Sequence, residues 1–257
     1  MSQLNSTTMK VKVGLILFVL GLSGVLSTLT MDVSLPLEVE AILLAKFTPD
    51  QLKWVLLLNP LMLLVVTLVV GLFVYAKVNL QLPIISYFIG EQKESLDTKS
   101  IVTYGLVGGF LAGVLLGTIG WIYKPLLPAE FMELGEKIKP TLLVRFLYGG
   151  ITEEILLRFG LMSFVIWLLS TLFNRLNTTI YWIGIVLSGI VFALAHLPIA
   201  FQAVQEPSSG LISYILIGNS VGGLIFGWLY WKKGLEAAII AHMITHVVFV
   251  IAEAFML

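Results

Sequence analysis

The chain has 257 residues, of which 58% are hydrophobic and 12% are charged, whereas an ordinary soluble domain carries roughly 25% charged residues. This composition excludes a soluble globular protein and is typical of a polytopic membrane protein. Because 15 Lys and Arg residues balance 15 Asp and Glu residues without a basic stripe, nucleic acid is excluded as a partner. The lack of cysteine excludes disulfides, thiolate metal ligands and a cysteine nucleophile.

Seven apolar stretches have lengths close to the roughly 20 residues that a helix needs to cross a bilayer. They are continuously apolar and do not alternate as the strands of a membrane barrel do. The predicted fold is therefore all-α, a polytopic membrane helical bundle of about seven transmembrane helices, or eight if the fourth stretch splits. The predicted helices cover residues 13–31, 54–75, 101–123, 141–173, 180–197, 211–231 and 235–256.

The loops predict an orientation in the membrane. With a cytoplasmic N-terminus and a single crossing by the fourth stretch, the positive-inside rule is satisfied by eight basic residues in inside loops against five in outside loops. The compact loops and the lack of a retention signal favour a multi-pass protein of a bacterial plasma membrane. The inside residues are Lys10, Lys12, Lys77, Lys93, Lys99, Arg175, Lys232 and Lys233, and the outside residues are Lys46, Lys53, Lys124, Lys137 and Lys139.

Glycines recur along the third stretch at steps of mostly three or four residues. This spacing places them on one face of a helix and predicts close contact with a neighbouring helix. The glycines are Gly105, Gly108, Gly109, Gly113, Gly117 and Gly120.

The fourth stretch is too long for a simple crossing. Its 33 residues would extend about 50 Å at roughly 1.5 Å per residue, against a hydrocarbon layer of about 30 Å. We therefore expect it to tilt, protrude or break. Gly149, Gly150 and Gly160 are the natural weak points.

The same stretch carries Arg145, Glu153, Glu154 and Arg158, although a central charge costs about 2.5 to 3.5 kcal/mol on insertion scales. Glu154 and Arg158 are four residues apart, in the favourable order for a helical ion pair. Glu153 points about 100° away from Glu154 and is left mostly unpaired, so that it can act as a general base. The alternatives are that these side chains anchor the helix at the headgroups or only hold helices together.

The three histidines of the chain, His196, His242 and His246, all lie in or at the ends of apolar stretches. One helical turn separates His242 from His246, so both point from one face of the last helix. Each histidine alone is explained by an interhelical hydrogen bond. Together with the two carboxylates they predict a shared polar chamber that contains a base, imidazoles and water, the groups that a hydrolytic reaction needs.

These residues form motifs in a fixed order. Glu153 to Arg158 reads EExxxR, Phe192 to His196 reads FxxxH, His242 to His246 reads HxxxH, and a glycine-spaced helix runs from Gly223 toward His242. In this order, on successive hydrophobic helices, they resemble the CPBP intramembrane protease family. That family includes the type II CAAX prenyl endopeptidases and the bacteriocin-immunity proteins of the Abi group. The resemblance covers residues 141–250.

The resemblance implies roles for four side chains. Glu153 and His196 would activate the water that attacks a peptide carbonyl, while His242 and His246 would stabilise the oxyanion. The family often has Asn at the position of His246. An imidazole replaces that amide as a hydrogen-bond donor only in the correct tautomer or when protonated.

The resemblance further implies that Glu154 is a structural acid paired with Arg158. It also divides the chain into N-terminal helices without a motif, 1–140, and a CPBP-like catalytic core, 141–257. The implied substrates are membrane-associated peptides or proteins, prenylated in the CAAX enzymes, that reach the chamber from the bilayer or its cytoplasmic face.

A bound metal is the alternative mechanism. Three histidines beside a glutamate can form a catalytic zinc site, here His196, His242 and His246. The chain has no HExxH motif, which would place a base beside two ligands on one helix. The favoured mechanism therefore uses a glutamate base and requires no cofactor, with zinc as the alternative.

The predicted helices leave a mismatch in depth. Counted from the same side of the membrane, His196 lies roughly 16 residues into the fifth helix, whereas His242 lies roughly 7 residues into the seventh. At about 1.5 Å per residue, their depths in the membrane differ by about 13 Å. A fifth helix that begins later and continues through Phe201 to Val204 would reduce it.

Two other functions use the same residues. A proton-coupled transporter would use the glutamates and histidines as a relay, but it is usually marked by paired broken helices in two matching halves. A catalytically idle membrane regulator, such as an immunity protein, would bind another membrane protein and would tolerate Glu153→Gln.

Overall fold

The computed structural model describes residues 7–31, 35, 37–90 and 95–256, with the side chains of all of these except 37–38 and 253–256. The described residues form helices and connecting turns without a strand, and seven of the helices are long and apolar enough to span a membrane. The predicted polytopic helical bundle is confirmed. The membrane helices are α1 Thr7–Thr30, α2 Pro49–Val78, α3 Thr98–Leu126, α4 Leu142–Leu172, α5 Thr178–Ala203, α6 Ser209–Lys233 and α7 Leu235–Ala252.

Within the described connections, three short helices join the membrane helices, namely Leu37–Leu44, Pro83–Phe88 and Ala129–Lys137. The second membrane helix, α2, begins five residues earlier than predicted. Thr48 forms a capping box with Gln51, and a proline follows at the first helical position, so the helix starts in a polar segment that hydropathy alone does not identify.

The long fourth stretch crosses once as a continuous helix and does not break. Its residues Arg145–Glu153 and Ile155–Met162 have π-helical geometry, in which each backbone N–H bonds to the carbonyl five residues earlier. A π-helix is wider than an α-helix and rises less per residue, which shortens the 31-residue span. Gly149, Gly150 and Gly160, the predicted weak points, all lie within these two segments.

The glycines of α3 pack against α7, as their spacing predicts. A Cβ atom on Gly105 would lie 2.7 Å from a side-chain carbon of Ile240, and one on Gly113 would lie 2.6 Å from Val248. A Cβ atom on Gly109 would clash with the carbonyl oxygen of Ala241. Gly117 has open space around it, so the close contact is confined to the first half of α3.

One end of the bundle, which we call the closed end, is covered by the connection between α2 and α3. The turn between α6 and α7 lies there, with Gly234 at a φ of 96° against the ring of Pro83. The Leu235 N–H donates to the Gln81 carbonyl (3.1 Å), and Glu236 accepts the Ile85 N–H (2.9 Å) at the start of helix Pro83–Phe88.

The opposite end, which we call the open end, contains the last turn of α5 and the start of α6. Helix Ala129–Lys137 packs there through Phe131 against a small core that includes Ala200, Leu211 and Ile215. A groove of about 420 Å³ beside this core is lined by Leu194, Leu197, Pro198, Phe201 and Gln202.

Candidate active site

The predicted ion pair on α4 is present. Arg158 Nε lies 3.2 Å from Glu154 Oε2, and their side chains are 1% and 0% exposed. Arg158 Nη2 also donates to the carbonyl oxygen of Gly223 on α6 (3.4 Å). The guanidinium group therefore joins the centre of α4 to α6 within the buried core.

Aromatic rings and a close helix crossing hold Arg158 in place. Its Cζ atom lies 5.0 Å from the ring centroid of Phe192 and 5.5 Å from that of Phe226, which gives a cation–π contact with each ring. A Cβ atom on Gly223 would lie 2.7 Å from the Cα of Gly189. This tight contact between α5 and α6 presents the Gly223 carbonyl to the guanidinium group.

Glu154 has a second partner on another helix. Its Oε1 lies 2.9 Å from Nδ1 of His242 on α7. A carboxylate only accepts hydrogen bonds, so Nδ1 carries the proton of the neutral imidazole and Nε2 is left bare. The ring of Phe226 stacks on His242 with a centroid distance of 4.6 Å and fixes its orientation.

The oriented imidazole faces the first glutamate. His242 Nε2 lies 4.0 Å from Glu153 Oε2. Glu153 is 17% exposed and makes no hydrogen bond with any described residue, whereas Glu154 is fully buried between two partners. The two adjacent carboxylates therefore differ in environment, and Glu153 is the one that a water molecule or a substrate can reach.

His196 approaches the site through Phe192. Its ring lies 4.7 Å from the ring of Phe192, which lies 6.2 Å from the ring of His242. Nδ1 of His196 donates to the Phe192 carbonyl (2.8 Å), so Nε2 of the neutral ring can accept a proton. Among the described contacts, none joins His196 directly to Glu153.

The expected later start of the fifth helix is wrong, because α5 begins at Thr178, while its expected continuation past Pro198 is present to Ala203. Phe192 lies at the level of His242, and His196 lies one helical turn farther toward the open end. His196 and His242 therefore lie at different depths and not in one plane.

His246 lies one turn beyond His242 on α7. The two rings stack with centroids 5.0 Å apart. A Cβ atom on Gly149 of α4 would lie only 2.6 Å from His246 Nε2, so the absence of a side chain at Gly149 makes room for the imidazole. Nδ1 of His246 is buried without a hydrogen-bond partner among the described residues.

The histidines do not assemble into a metal-ligand set. In the part of the chain that the structure describes, no three His, Asp or Glu side chains are grouped so that they could hold a metal ion. The residues present therefore do not fit the alternative zinc site.

Two supports of the site, Thr152 and Phe226, are not among the predicted site residues. Thr152 Oγ1 donates to the Gly21 carbonyl of α1 (2.8 Å), which fixes the π-helical segment beside Glu153. Phe226 contacts both Arg158 and His242. The only signal in the sequence is the small-residue spacing of α1 and α6, which indicates close helix packing but not its partner.

Comparison with known proteins gives one family. A family model described as type II CAAX prenyl endopeptidase Rce1-like matches residues 136–248. Searches of curated proteins and of solved structures gave no significant match. The matched segment contains Glu153, Glu154, Arg158 and all three histidines. Residues 136–248, less than half of the chain, are thus similar to the Rce1-like type II CAAX prenyl endopeptidases.

Proposed function

We propose that the protein is an intramembrane endopeptidase that hydrolyses a peptide bond of membrane-associated peptides or proteins, with Glu153 as the general base. The observation that carries this proposal is the difference between the two adjacent carboxylates. Glu154 is committed to Arg158 at 3.2 Å and to His242 at 2.9 Å, whereas Glu153 has no hydrogen-bond partner among the described residues. Only Glu153 has its lone pairs available for a water proton.

The proposed reaction begins with water held by Glu153 and His196. Glu153 takes a proton from the water as its oxygen bonds to the carbonyl carbon of the substrate. The carbonyl π electrons move to oxygen and give a tetrahedral oxyanion. When this intermediate collapses, the C–N bond breaks, and the proton held by Glu153 passes to the leaving nitrogen. The products are a carboxylic acid and an amine.

The oxyanion is stabilised by the histidines of α7. His246 donates from whichever ring nitrogen carries its proton and faces the substrate. His242 donates from Nε2 only when its ring carries both protons, because Nδ1–H is directed to Glu154. In this proposal His246 therefore takes the position of the amide found in many family members, and Glu154 acts through His242 as a positioning residue.

The experiment compares the purified protein with Glu153→Gln on a mixed library of membrane peptides that includes farnesylated sequences. Loss of the general base lowers the cleavage rate by about 10²- to 10⁴-fold. The matched control is Glu133→Gln, the same change at an exposed position of helix Ala129–Lys137, and it leaves the rate unchanged. Equal cleavage by wild type and Glu153→Gln would refute the assigned base.

The same assay separates the rival functions. Each reaction is repeated with a chelator, and chelator-sensitive cleavage would support a metal mechanism over the glutamate base. An idle membrane regulator would show no cleavage by wild type, and its protective phenotype would survive Glu153→Gln.

A further inference from the structure

We infer that Tyr148 is a further catalytic residue, whose hydroxyl donates a hydrogen bond to the oxygen of the scissile carbonyl as negative charge develops on it. The inference deepens the proposed function and rests on it, because it concerns the intermediate that Glu153 helps to form. Three features of the molecule support it: the helical register that places Tyr148 beside Glu153, a tyrosine hydroxyl with no partner among the described residues, and a shortage of donors for the oxyanion.

The π-helical register of α4 places Tyr148 and Glu153 one turn apart. Both lie in the segment Arg145–Glu153, where backbone N–H groups bond to the carbonyl five residues earlier. The adjacent side chain shows the same register, because Thr152 Oγ1 lies 3.2 Å from the carbonyl oxygen of Leu147, also five residues earlier. In an α-helix, residues five apart would point about 140° away from each other. The π-helix therefore brings a phenol and the proposed base to neighbouring positions.

The hydroxyl of Tyr148 can bind a ligand. Tyr148 is half-buried, its ring packs against the main hydrophobic core, and its hydroxyl makes no hydrogen bond with any described residue. The Glu153 carboxylate lies close enough to interact electrostatically with this hydroxyl. A tyrosine hydroxyl that is removed from bulk water usually has a hydrogen-bond partner. A substrate oxygen held beside Glu153 would supply the partner.

This part of α4 lies against the histidines of α7. Glu153 Oε2 lies 4.0 Å from Nε2 of His242. Gly149, the residue after Tyr148, makes room for His246, whose Nε2 would lie 2.6 Å from a Cβ atom on that glycine. The two imidazole rings stack with their centroids 5.0 Å apart. A carbonyl group attacked by water on Glu153 is therefore within about one helical turn of Tyr148 on α4 and of His246 on α7.

The proposed oxyanion needs a donor that does not depend on a charged histidine. His242 uses its Nδ1–H for Glu154, so its neutral ring has no donor left for the substrate. His246 then supplies one hydrogen bond, and the neutral phenol of Tyr148 supplies a second. Tyrosine is among the side chains that form oxyanion holes. Tyr148 keeps its proton throughout, since Glu153 carries the proton of water to the leaving nitrogen.

The test is Tyr148→Phe, which removes the hydroxyl and keeps the ring, on a peptide that wild type cleaves in the membrane-peptide library. Loss of one oxyanion donor lowers kcat by about 10²- to 10³-fold. KM stays unchanged, because the donor acts only in the transition state. The matched control is Tyr104→Phe on α3, where the side chain is 42% exposed and the ring keeps its contact with Lys233. The control cleaves at the wild-type rate, and a wild-type kcat in Tyr148→Phe would overturn the inference.

Two uncleaved analogues of the same peptide separate a catalytic role of Tyr148 from a packing role. A phosphinic group at the scissile bond mimics the tetrahedral oxyanion, whereas an N-methylated amide keeps the planar carbonyl. At equal folded fraction, Tyr148→Phe binds the phosphinic analogue about 10²- to 10³-fold more weakly than wild type and binds the N-methylated analogue equally well. Equal weakening for both analogues, or for neither, would overturn the inference.

A third measurement applies if Tyr148→Phe does not fold. Incorporation of 3-fluorotyrosine at position 148 keeps the side-chain shape and makes the hydroxyl a stronger donor, so the phosphinic analogue binds more tightly than to wild type. Unchanged binding would overturn the inference.

Comparison with Glu153→Gln shows which proposal fails. If Glu153→Gln abolishes cleavage and Tyr148→Phe does not change it, only the role of Tyr148 is wrong. If Glu153→Gln cleaves as wild type does, the proposed function fails and the role of Tyr148 fails with it.

Discussion

The two halves of the bundle bury their membrane helices to different extents. In the most apolar 18-residue window, 44% of residues are buried in α4 against 22% in α2 and in α3. A lipid-facing helix needs only an apolar surface, whereas a helix that carries charges must exclude both lipid and bulk water from them. The difference shows that α4, which carries the candidate residues Glu153 and Glu154, is the most buried of the seven membrane helices.

The first three membrane helices hold no candidate catalytic side chain, but they contact α4 and α7, which carry such side chains. Residues of α1 meet the π-helical part of α4 through the Gly21 carbonyl and Thr152, and α3 meets α7 through Gly109 and its neighbours. Thr245 of α7 also donates to the Gly109 carbonyl (3.2 Å). We therefore propose that residues 141–257 carry the chemistry and that residues 1–140 brace them, a division that substitutions can test.

The largest effect is expected from Arg158→Leu. The substitution leaves the Glu154 carboxylate buried with only His242 as a partner, and the loss of one member of a buried pair costs about 3 to 5 kcal/mol of unfolding free energy. Thermal unfolding in detergent measures the change. The matched comparison is Glu136→Gln, which removes one member of an exposed pair with Lys139 at 3.9 Å. If the thermal unfolding midpoint of Arg158→Leu were as high as that of Glu136→Gln, the central role of α4 would be contradicted.

Gly149→Ala is expected to impair cleavage more than folding. The added methyl group meets His246 Nε2 at 2.6 Å and displaces the imidazole, and a displacement of about 1 Å in a catalytic group can cost about 10²-fold in rate. Gly117→Ala on α3 is the control, because nothing lies within 4 Å of the added atom. Peptide cleavage by the two variants is compared at equal folded fraction. Equal rates would remove His246 from the proposed mechanism.

Particular residues show what the sequence could and could not predict. The Glu154–Arg158 pair follows from a spacing of four within one helix, and the seven helices follow from runs of apolar residues. The Glu154–His242 hydrogen bond joins residues 88 apart, and the Glu236–Ile85 bond joins residues 151 apart. Spacing on one helix carries no information about such pairs, because they depend on which helix faces come together.

The geometry of α4 was predictable only in part. Its excess length and its glycines indicated an irregular helix, but not the π-helical form that it takes. Spacing in the sequence does not identify the tertiary contacts of this segment, in which the Gly21 carbonyl of α1 accepts from Thr152 and the ring of His246 occupies the space beside Gly149. The division into a bracing half, residues 1–140, and a catalytic half, residues 141–257, is a prediction from motifs alone. It stays a prediction that the substitutions test.

Gly109→Ala tests the bracing half directly. The new methyl group clashes with the Ala241 carbonyl oxygen and forces α3 away from α7, and overpacking of this kind costs about 1 to 3 kcal/mol. The unfolding midpoint should fall, while the cleavage rate per folded molecule should stay within about twofold of wild type. A variant as stable as wild type but with slow cleavage would show that α3 belongs functionally with the catalytic core.

The smallest effect is expected from Thr152→Val, which keeps the side-chain shape and removes the hydrogen bond to the Gly21 carbonyl. A single hydrogen bond contributes about 0.5 to 1.5 kcal/mol to stability. Thr118→Val is the matched control, because Thr118 on α3 donates only within its own helix, to Val114 at 2.8 Å. If bracing by α1 positions Glu153, Thr152→Val lowers the cleavage rate as well as the unfolding midpoint, whereas Thr118→Val changes neither. Identical behaviour of the two variants would mean that α1 only encloses the site and does not position it.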